Sequence, residues 1–134
     1  MAFGIDSETF RGNQDVTLEF KNSACRCTLN QDISTPGIRL KKSVQLTKGD
    51  YELVVKASAS TKETFFLWVF DSDSKVRISG TLHVGINKES LCLGFSLTHT
   101  MNIEVGILAH NNKIGDFCDI DSVEIKQQQS YSQS

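Results

Sequence analysis

The sequence predicts an all-β fold, specifically an antiparallel two-sheet β-sandwich with a jelly-roll-like topology. Short runs of alternating β-branched and aromatic residues fill the chain from Val16 to Ile125, broken by Gly, Asn, Asp and Ser. The connections between these runs are too short for helical crossovers, which favours antiparallel pairing. No repeat period is present, so a propeller or a solenoid is not expected. Two sheets packed face to face best accommodate the predicted set of about eight to ten strands.

The first predicted strands rest on clean alternation of inward and outward side chains. Residues 16–20 and 25–29 alternate in this way, and residues 37–46 predict one strand or a strand kinked at Lys41-Lys42. After a tight turn, residues 51–59 place their apolar side chains on a single face. Tyr51 belongs to that face, so we predict it to lie in the core.

The next segment, residues 64–70, is apolar at nearly every position. Such a run is typical of a central strand covered on both faces, which predicts a core position for Trp68 as well. A hairpin loop follows at residues 71–74. The remaining strands are predicted at residues 76–84, 91–97, 103–107 and 117–125, with a turn at residues 110–113.

The bulk properties fit one domain, because the chain has 134 residues. We predict a sandwich over residues 1–126, in which residues 1–15 form an N-terminal arm or edge strand, followed by a polar flexible tail over residues 127–134. A net charge of −2 argues against a strongly basic nucleic-acid binder, and no nucleic-acid partner is expected. No apolar run approaches the length of a membrane helix.

The four cysteines are predicted to be reduced thiols, and Cys25 and Cys27 to be buried small hydrophobic residues rather than metal ligands. Cys25 and Cys27 share one face of their strand and form an apolar stripe with Leu29. A zinc site would need wider cysteine spacing with histidines nearby, whereas this spacing is C-x-C and the three histidines are scattered. No cofactor is therefore predicted from the cysteines.

Two segments carry a resemblance to a known fold family. Residues 44–59 (VQLTKGDYELVVKASA) resemble the part of carbohydrate-binding-module and galactose-binding-like jelly rolls where a strand enters a Gly turn, a Tyr and an alternating strand. Residues 120–125 (IDSVEI) are similar to the closing strand of those folds. The resemblance implies a β-sandwich. It also implies a possible structural calcium, for which Asp121 stands at the matching C-terminal position.

The ligand-binding residues implied by this resemblance are polar. Carbohydrate-binding modules usually stack sugars on exposed aromatic rings, but this chain has one Trp and two Tyr. A groove-type binder would use hydrogen-bonding side chains in loops instead. Turn formation explains the same residues more economically, so both interpretations stay open. The candidate ligand-binding residues are Asn111, Asn112, Asp116, Asp71 and Asp73.

No catalytic motif is present, so the sequence predicts a protein that is not an enzyme. It contains no G-x-S-x-G elbow and no glycine-rich phosphate loop. Asp119 and Asp121 could share a strand face at roughly 6–7 Å, a spacing that suits a glycosidase pair, but solvated strand acids are far commoner.

Two functional classes remain. The N-terminus has no basic and apolar regions of a signal peptide, and no catalytic domain or linker is present. This context favours a structural interaction protein, such as a phage-type capsid decoration protein of a virion. Such a protein would bind a capsid or tail protein, form a homo-oligomer and reside in the virion or the cytoplasm. The alternative is a free-standing carbohydrate-binding, lectin-like module.

Overall fold

The computed structural model describes residues 1–13, 15–30, 35–110 and 113–128. Within these ranges the chain forms strands and turns only, and no helix is long and apolar enough to cross a membrane. The strands are β1 (Ala2–Phe3), β2 (Phe10–Asn13), β3 (Val16–Lys21), β4 (Ala24–Leu29), β5 (Gly37–Leu40), β6 (Val44–Leu46), β7 (Gly49–Ala59), β8 (Phe65–Asp71), β9 (Leu82–His83), β10 (Glu89–Leu97), β11 (Met101–Ala109) and β12 (Phe117–Gln127).

These strands make two antiparallel sheets of six strands each. Sheet A has the order β10-β7-β12-β4-β3, and β1 also pairs with β12. Sheet B has the order β2-β5-β11-β8-β9, and β6 also pairs with β11. The predicted all-β, jelly-roll-like two-sheet sandwich is confirmed.

The core lies between the sheets and is built from the inward positions of the alternating strands. Leu53 and Val55 of β7 are each 1% exposed, and Phe65 and Leu67 of β8 are fully buried. Tyr51 is also buried, and its hydroxyl donates a hydrogen bond to the Thr47 carbonyl at 2.8 Å. The predicted core position of Tyr51 is therefore confirmed, and its polar atom is satisfied.

The kink predicted at Lys41-Lys42 separates β5 from β6. Both strands pair with the same partner, because Ile38 lies opposite Ile107 while Val44 lies opposite Ile103 on β11. On the two sides of the kink, β5 and β6 therefore pair with successive parts of β11.

One predicted strand, residues 76–84, is largely wrong. Only β9 and an isolated bridge between Phe70 and Arg77 pair there. The backbone N–H of Val69 donates to the Ser79 hydroxyl at 3.2 Å, so a side chain replaces the expected backbone partner. Lys75 also has a φ of 62°, in the left-handed region, which turns the chain out of the extended conformation.

Both ends of the described chain form hydrogen bonds with strands of the sandwich. The Met1 amino group donates to the Ile125 carbonyl at 2.9 Å, beside β1. β12 includes Gln127, and the N–H of Gln128 donates to the Asp50 carbonyl at 2.8 Å. Residues 129–134 of the predicted tail lie outside the described residues.

Three of the four cysteines behave as buried small hydrophobic residues, as predicted for Cys25 and Cys27. Burial raises the pKa of the Cys25 thiol to about 11 and that of Cys27 to about 12. Burial likewise raises the pKa of Cys118, which lies opposite Cys27. Cys92, in contrast, is exposed on β10.

We therefore expect one reactive thiol per native molecule. At neutral pH a thiol-specific reagent should modify Cys92 within minutes, because the other three thiols are buried and fully protonated. Counting labels by intact-mass spectrometry before and after denaturation should give one and then four. A Cys92→Ser variant should give none in the native state; rapid labelling of that variant would contradict the burial of the core thiols.

Candidate functional site

The outer face of sheet B carries a row of aromatic side chains. Along β8, Phe65, Leu67 and Val69 point into the core, so Phe66, Trp68 and Phe70 point outward. The core prediction for Trp68 is therefore wrong. The run is apolar on both faces, as the sequence suggested, but no second layer formed by the described residues covers its outer side. We call this outer surface of sheet B the aromatic face.

Trp68 is the aromatic residue of this face that keeps an exposed ring surface. Phe66 is 6% exposed and Phe70 is 1% exposed, although neither belongs to the core between the sheets. The Trp68 ring packs against Phe70 with 3.7 Å between centroids and 31° between planes. Trp68 itself is only half-buried, so one part of the indole rests on protein and another faces solvent.

Strand register aligns the outward residues of this face in rows across the sheet. Arg11 lies opposite Arg39, Arg39 opposite Gly106, and Gly106 opposite Trp68. Gly106 lies directly between Arg39 and Trp68 and has no side chain. A Cβ there would lie 2.7 Å from the Ile38 carbonyl oxygen, so this position accepts only glycine without a backbone shift. The surface between Arg39 and the indole therefore carries no protruding side chain.

A buried ion pair organises the centre of the face. Arg39 Nε and Nη2 donate to Glu104 Oε1 at 3.2 and 2.9 Å, and the Ser72 hydroxyl donates to Oε2 at 2.9 Å. Lys75 Nζ lies 3.8 Å from the same Oε2. The guanidinium is thereby held 5.3 Å from the centre of the Phe70 ring. Both carboxylate oxygens are engaged, which is what a nearly buried charge requires.

A histidine pair closes one end of the face. His83 Nε2 and His110 Nε2 are 2.9 Å apart, and both rings meet Phe66 edge to face. One ring donates this hydrogen bond and the other accepts it. Arg77 lies over Phe66 at 5.5 Å and donates to the Thr81 hydroxyl at 2.6 Å. These side chains explain the burial of Phe66.

Two of the predicted ligand-binding residues lie beside the opposite end of this face. Asp71 Oδ1 accepts from the Asp73 N–H and its Oδ2 accepts from the Ser74 hydroxyl, both at 2.9 Å. The hydrogen bond from Ser74 is the main cause of the lowered pKa of Asp71. Asp73 Oδ2 accepts from the Asn102 amide at 3.1 Å. These contacts form a turn, and a part in ligand binding stays a prediction.

Asp116, a third predicted residue, lies away from the aromatic face. Asp116 precedes β12 of sheet A, and its Oδ2 accepts from the Lys113 N–H at 3.0 Å. Asn111 and Asn112 lie outside the described residues. Their role in binding also stays a prediction.

Asp121, the residue for which the resemblance implied a structural calcium, forms an ion pair with Lys88. Asp121 lies at a β-bulge in β12, where the register shifts between Ile120 and Ser122. Its Oδ1 accepts a hydrogen bond from Lys88 Nζ at 3.0 Å. Calcium takes about six to eight oxygen ligands, and no group of three metal-ligating side chains occurs in the part of the chain that the structure describes. A structural calcium at Asp121 stays a prediction.

No protein-family model and no curated protein matches this sequence. Solved structures do match. A family 4 carbohydrate-binding module aligns with a TM-score of 0.73 at 14% identity, covering 90% of this chain and 96% of its own. The N-terminal cellulose-binding domain of β-1,4-glucanase C from Cellulomonas fimi gives 0.69 at 15%, covering 93% and 92%. The CBM22-1 xylan-binding domain from Paenibacillus barcinonensis gives 0.64 at 10%, covering 97% and 94%.

These matches show that the chain has the β-sandwich fold of carbohydrate-binding modules, as the resemblance of residues 44–59 and 120–125 implied. They also correct the preferred functional prediction. The prediction of a virion decoration protein bound to a capsid or tail protein is wrong. The three structures named above are carbohydrate-binding modules or domains, and none of them points to a virus particle. The prediction of a homo-oligomer has no support here.

Proposed function

We propose that this protein is a non-catalytic carbohydrate-binding module whose ligand lies on the aromatic face. The observation that carries the proposal is Trp68, an outward-facing, half-buried indole on a sheet face that no described segment covers. The flat face of an indole matches the C–H face of a sugar ring. Carbohydrate-binding modules usually hold sugars by stacking them on such aromatic rings. The fold shared with a cellulose-binding and a xylan-binding domain supports the proposal.

The polar residues around the indole suit a sugar chain. Arg39 lies over Phe70 and Arg77 lies over Phe66, so guanidinium groups flank Trp68 on the aromatic face, where they can bind ring hydroxyls. Gly106, which lies opposite Trp68, leaves room for a sugar ring beside the indole because it has no side chain. An uncovered sheet face with one half-buried, outward-facing indole suits a stretch of polysaccharide better than an enclosed small molecule.

The chemistry of the face supports binding without catalysis. Glycoside hydrolysis needs two carboxyl groups that flank the scissile bond. Glu104, the carboxylate at the centre of the face, is 5% exposed and has both oxygens engaged by Arg39 and Ser72. Its role is to position the guanidinium.

Affinity electrophoresis in native gels tests the proposal. The gels would contain cellulose derivatives, xylan, mixed-linkage β-glucan, pectins or agarose oligosaccharides, with bovine serum albumin as the non-binding control. We expect retardation by at least one polysaccharide in proportion to its concentration. Unchanged mobility with every neutral and acidic polysaccharide would overturn the proposal.

A further inference from the structure

We infer that the preferred ligand is an acidic glycan, whose carboxylate or sulfate groups bind at Arg11 and Arg39 while a neighbouring sugar ring stacks on Trp68. This inference rests on the proposed function and names its substrate class. It follows from the row that register builds across four strands, Arg11 to Arg39 to Gly106 to Trp68. Neighbouring strands are about 4.8 Å apart, so Arg11 lies roughly 14 Å from the indole along this row. A chain of a few sugar rings lying across the strands would contact both residues.

The charges along this row are unbalanced. Arg11 and Arg39 are direct cross-strand partners, and like charges placed opposite each other destabilise a sheet. Glu104 compensates Arg39. Arg11 is exposed, and no carboxylate among the described residues lies within the 4.0 Å that defines an ion pair with it. An anionic ligand group would supply the partner that Arg11 does not have among the described residues.

Further cations lie along the same face. The Lys75 side chain is 65% exposed, and Arg77 is exposed beside Phe66. The chain as a whole carries a net charge of −2, so the cationic character is local to this surface. Guanidinium groups bind carboxylates and other planar or tetrahedral oxyanions through paired N–H donors. A glycan with acidic groups therefore complements this face better than a neutral one.

The outer face of sheet A provides the contrast. Arg26 donates to both carboxylate oxygens of Asp119 at 2.7 and 2.9 Å, and Lys88 pairs with Asp121. The one arginine on the outer face of sheet A, Arg26, is therefore compensated by an acid of the protein among the described residues. The surplus of guanidinium groups is therefore a property of the face that carries Trp68.

The test uses polysaccharides that differ only in charge. Polygalacturonate is compared with its fully methyl-esterified form, and dextran sulfate with dextran, by affinity electrophoresis at low and at physiological salt. We expect the charged member of at least one pair to bind more tightly. Arg11→Gln should weaken that binding about fivefold or more, whereas Lys21→Gln, an equal charge loss on the exposed side of β3, should leave it unchanged. Added salt should weaken it as well.

Each alternative result has a distinct meaning. Binding of the neutral members that depends on Trp68 but not on Arg11 would overturn the acidic preference and leave the carbohydrate function standing. Binding of charged polysaccharides that persists in Trp68→Ala would show ionic adsorption elsewhere and overturn the inference. If none of the four polysaccharides binds, the inference of an acidic ligand is overturned too. The proposed carbohydrate function is overturned only if the polysaccharides named under that proposal also fail to bind. The carboxylate and sulfate pairs separate the two possible anions.

Discussion

Replacing Trp68 with Ala should reduce glycan binding by about 30-fold or more, because tryptophans at the centre of a binding surface contribute about 2 kcal/mol or more. The indole is the exposed aromatic ring of the aromatic face, and the neighbouring Phe70 is 1% exposed. Phe70 therefore cannot take over the stacking contact. Isothermal titration calorimetry or affinity electrophoresis with the best-retained polysaccharide would measure the loss.

The matched control is Phe117→Ala. Phe117 is a half-buried aromatic residue on the outer face of sheet A, where the Arg26 guanidinium lies 4.0 Å from its ring centre. This variant should bind like the wild type. Trp68→Phe should retain part of the affinity, which separates loss of stacking from loss of folding. Binding of Trp68→Ala within twofold of the wild type would contradict the assignment of the site.

Replacing Arg39 with Ala should destabilise the protein by about 3 kcal/mol or more, because it leaves a nearly buried carboxylate without its main partner. The side chains of Arg39 and Glu104 are 19% and 7% exposed. Urea unfolding followed by circular dichroism would measure the change in the free energy of unfolding. Glycan binding should weaken in the same variant, because the guanidinium also lies beside Trp68 on the face.

The comparison variant is Arg26→Ala, which breaks the bidentate pair between Arg26 and Asp119 on the outer face of sheet A. The side chains of Arg26 and Asp119 are 48% and 30% exposed, so solvent screens this pair and its loss should destabilise the protein much less than the loss of Arg39. The double variant Arg39→Met with Glu104→Leu should recover much of the stability lost in Arg39→Ala. Equal costs for Arg39→Ala and Arg26→Ala would show that burial does not set the strength of the central pair.

Most of the fold could be predicted from alternation, and the exceptions have physical causes. The strand at residues 51–59 shows a period of two, and the structure forms β7 there. Residues 76–84 keep the same period in their apolar side chains, but the Ser79 hydroxyl takes the backbone donor of Val69. Periodicity records which side chains face the core; it does not record which polar group satisfies the backbone.

The candidate site was harder to predict, because the run that contains Trp68 is apolar at every position. Such a run cannot distinguish a strand covered on both sides from one whose outer face is a binding surface. The signal that could have identified the site is the register of β8 against β11, which places Trp68 opposite Gly106 and Phe70 opposite Glu104. Arg39 and Glu104 are 65 residues apart, so only the folded sheet brings them together.

The most direct test is a titration of the intrinsic tryptophan fluorescence with the retained polysaccharide. The chain contains one tryptophan, so the emission reports on Trp68 alone. We predict a saturable change in emission whose midpoint agrees with the affinity measured by calorimetry. A glycan that binds with the same affinity and leaves the emission unchanged would place the ligand away from the aromatic face and contradict the account.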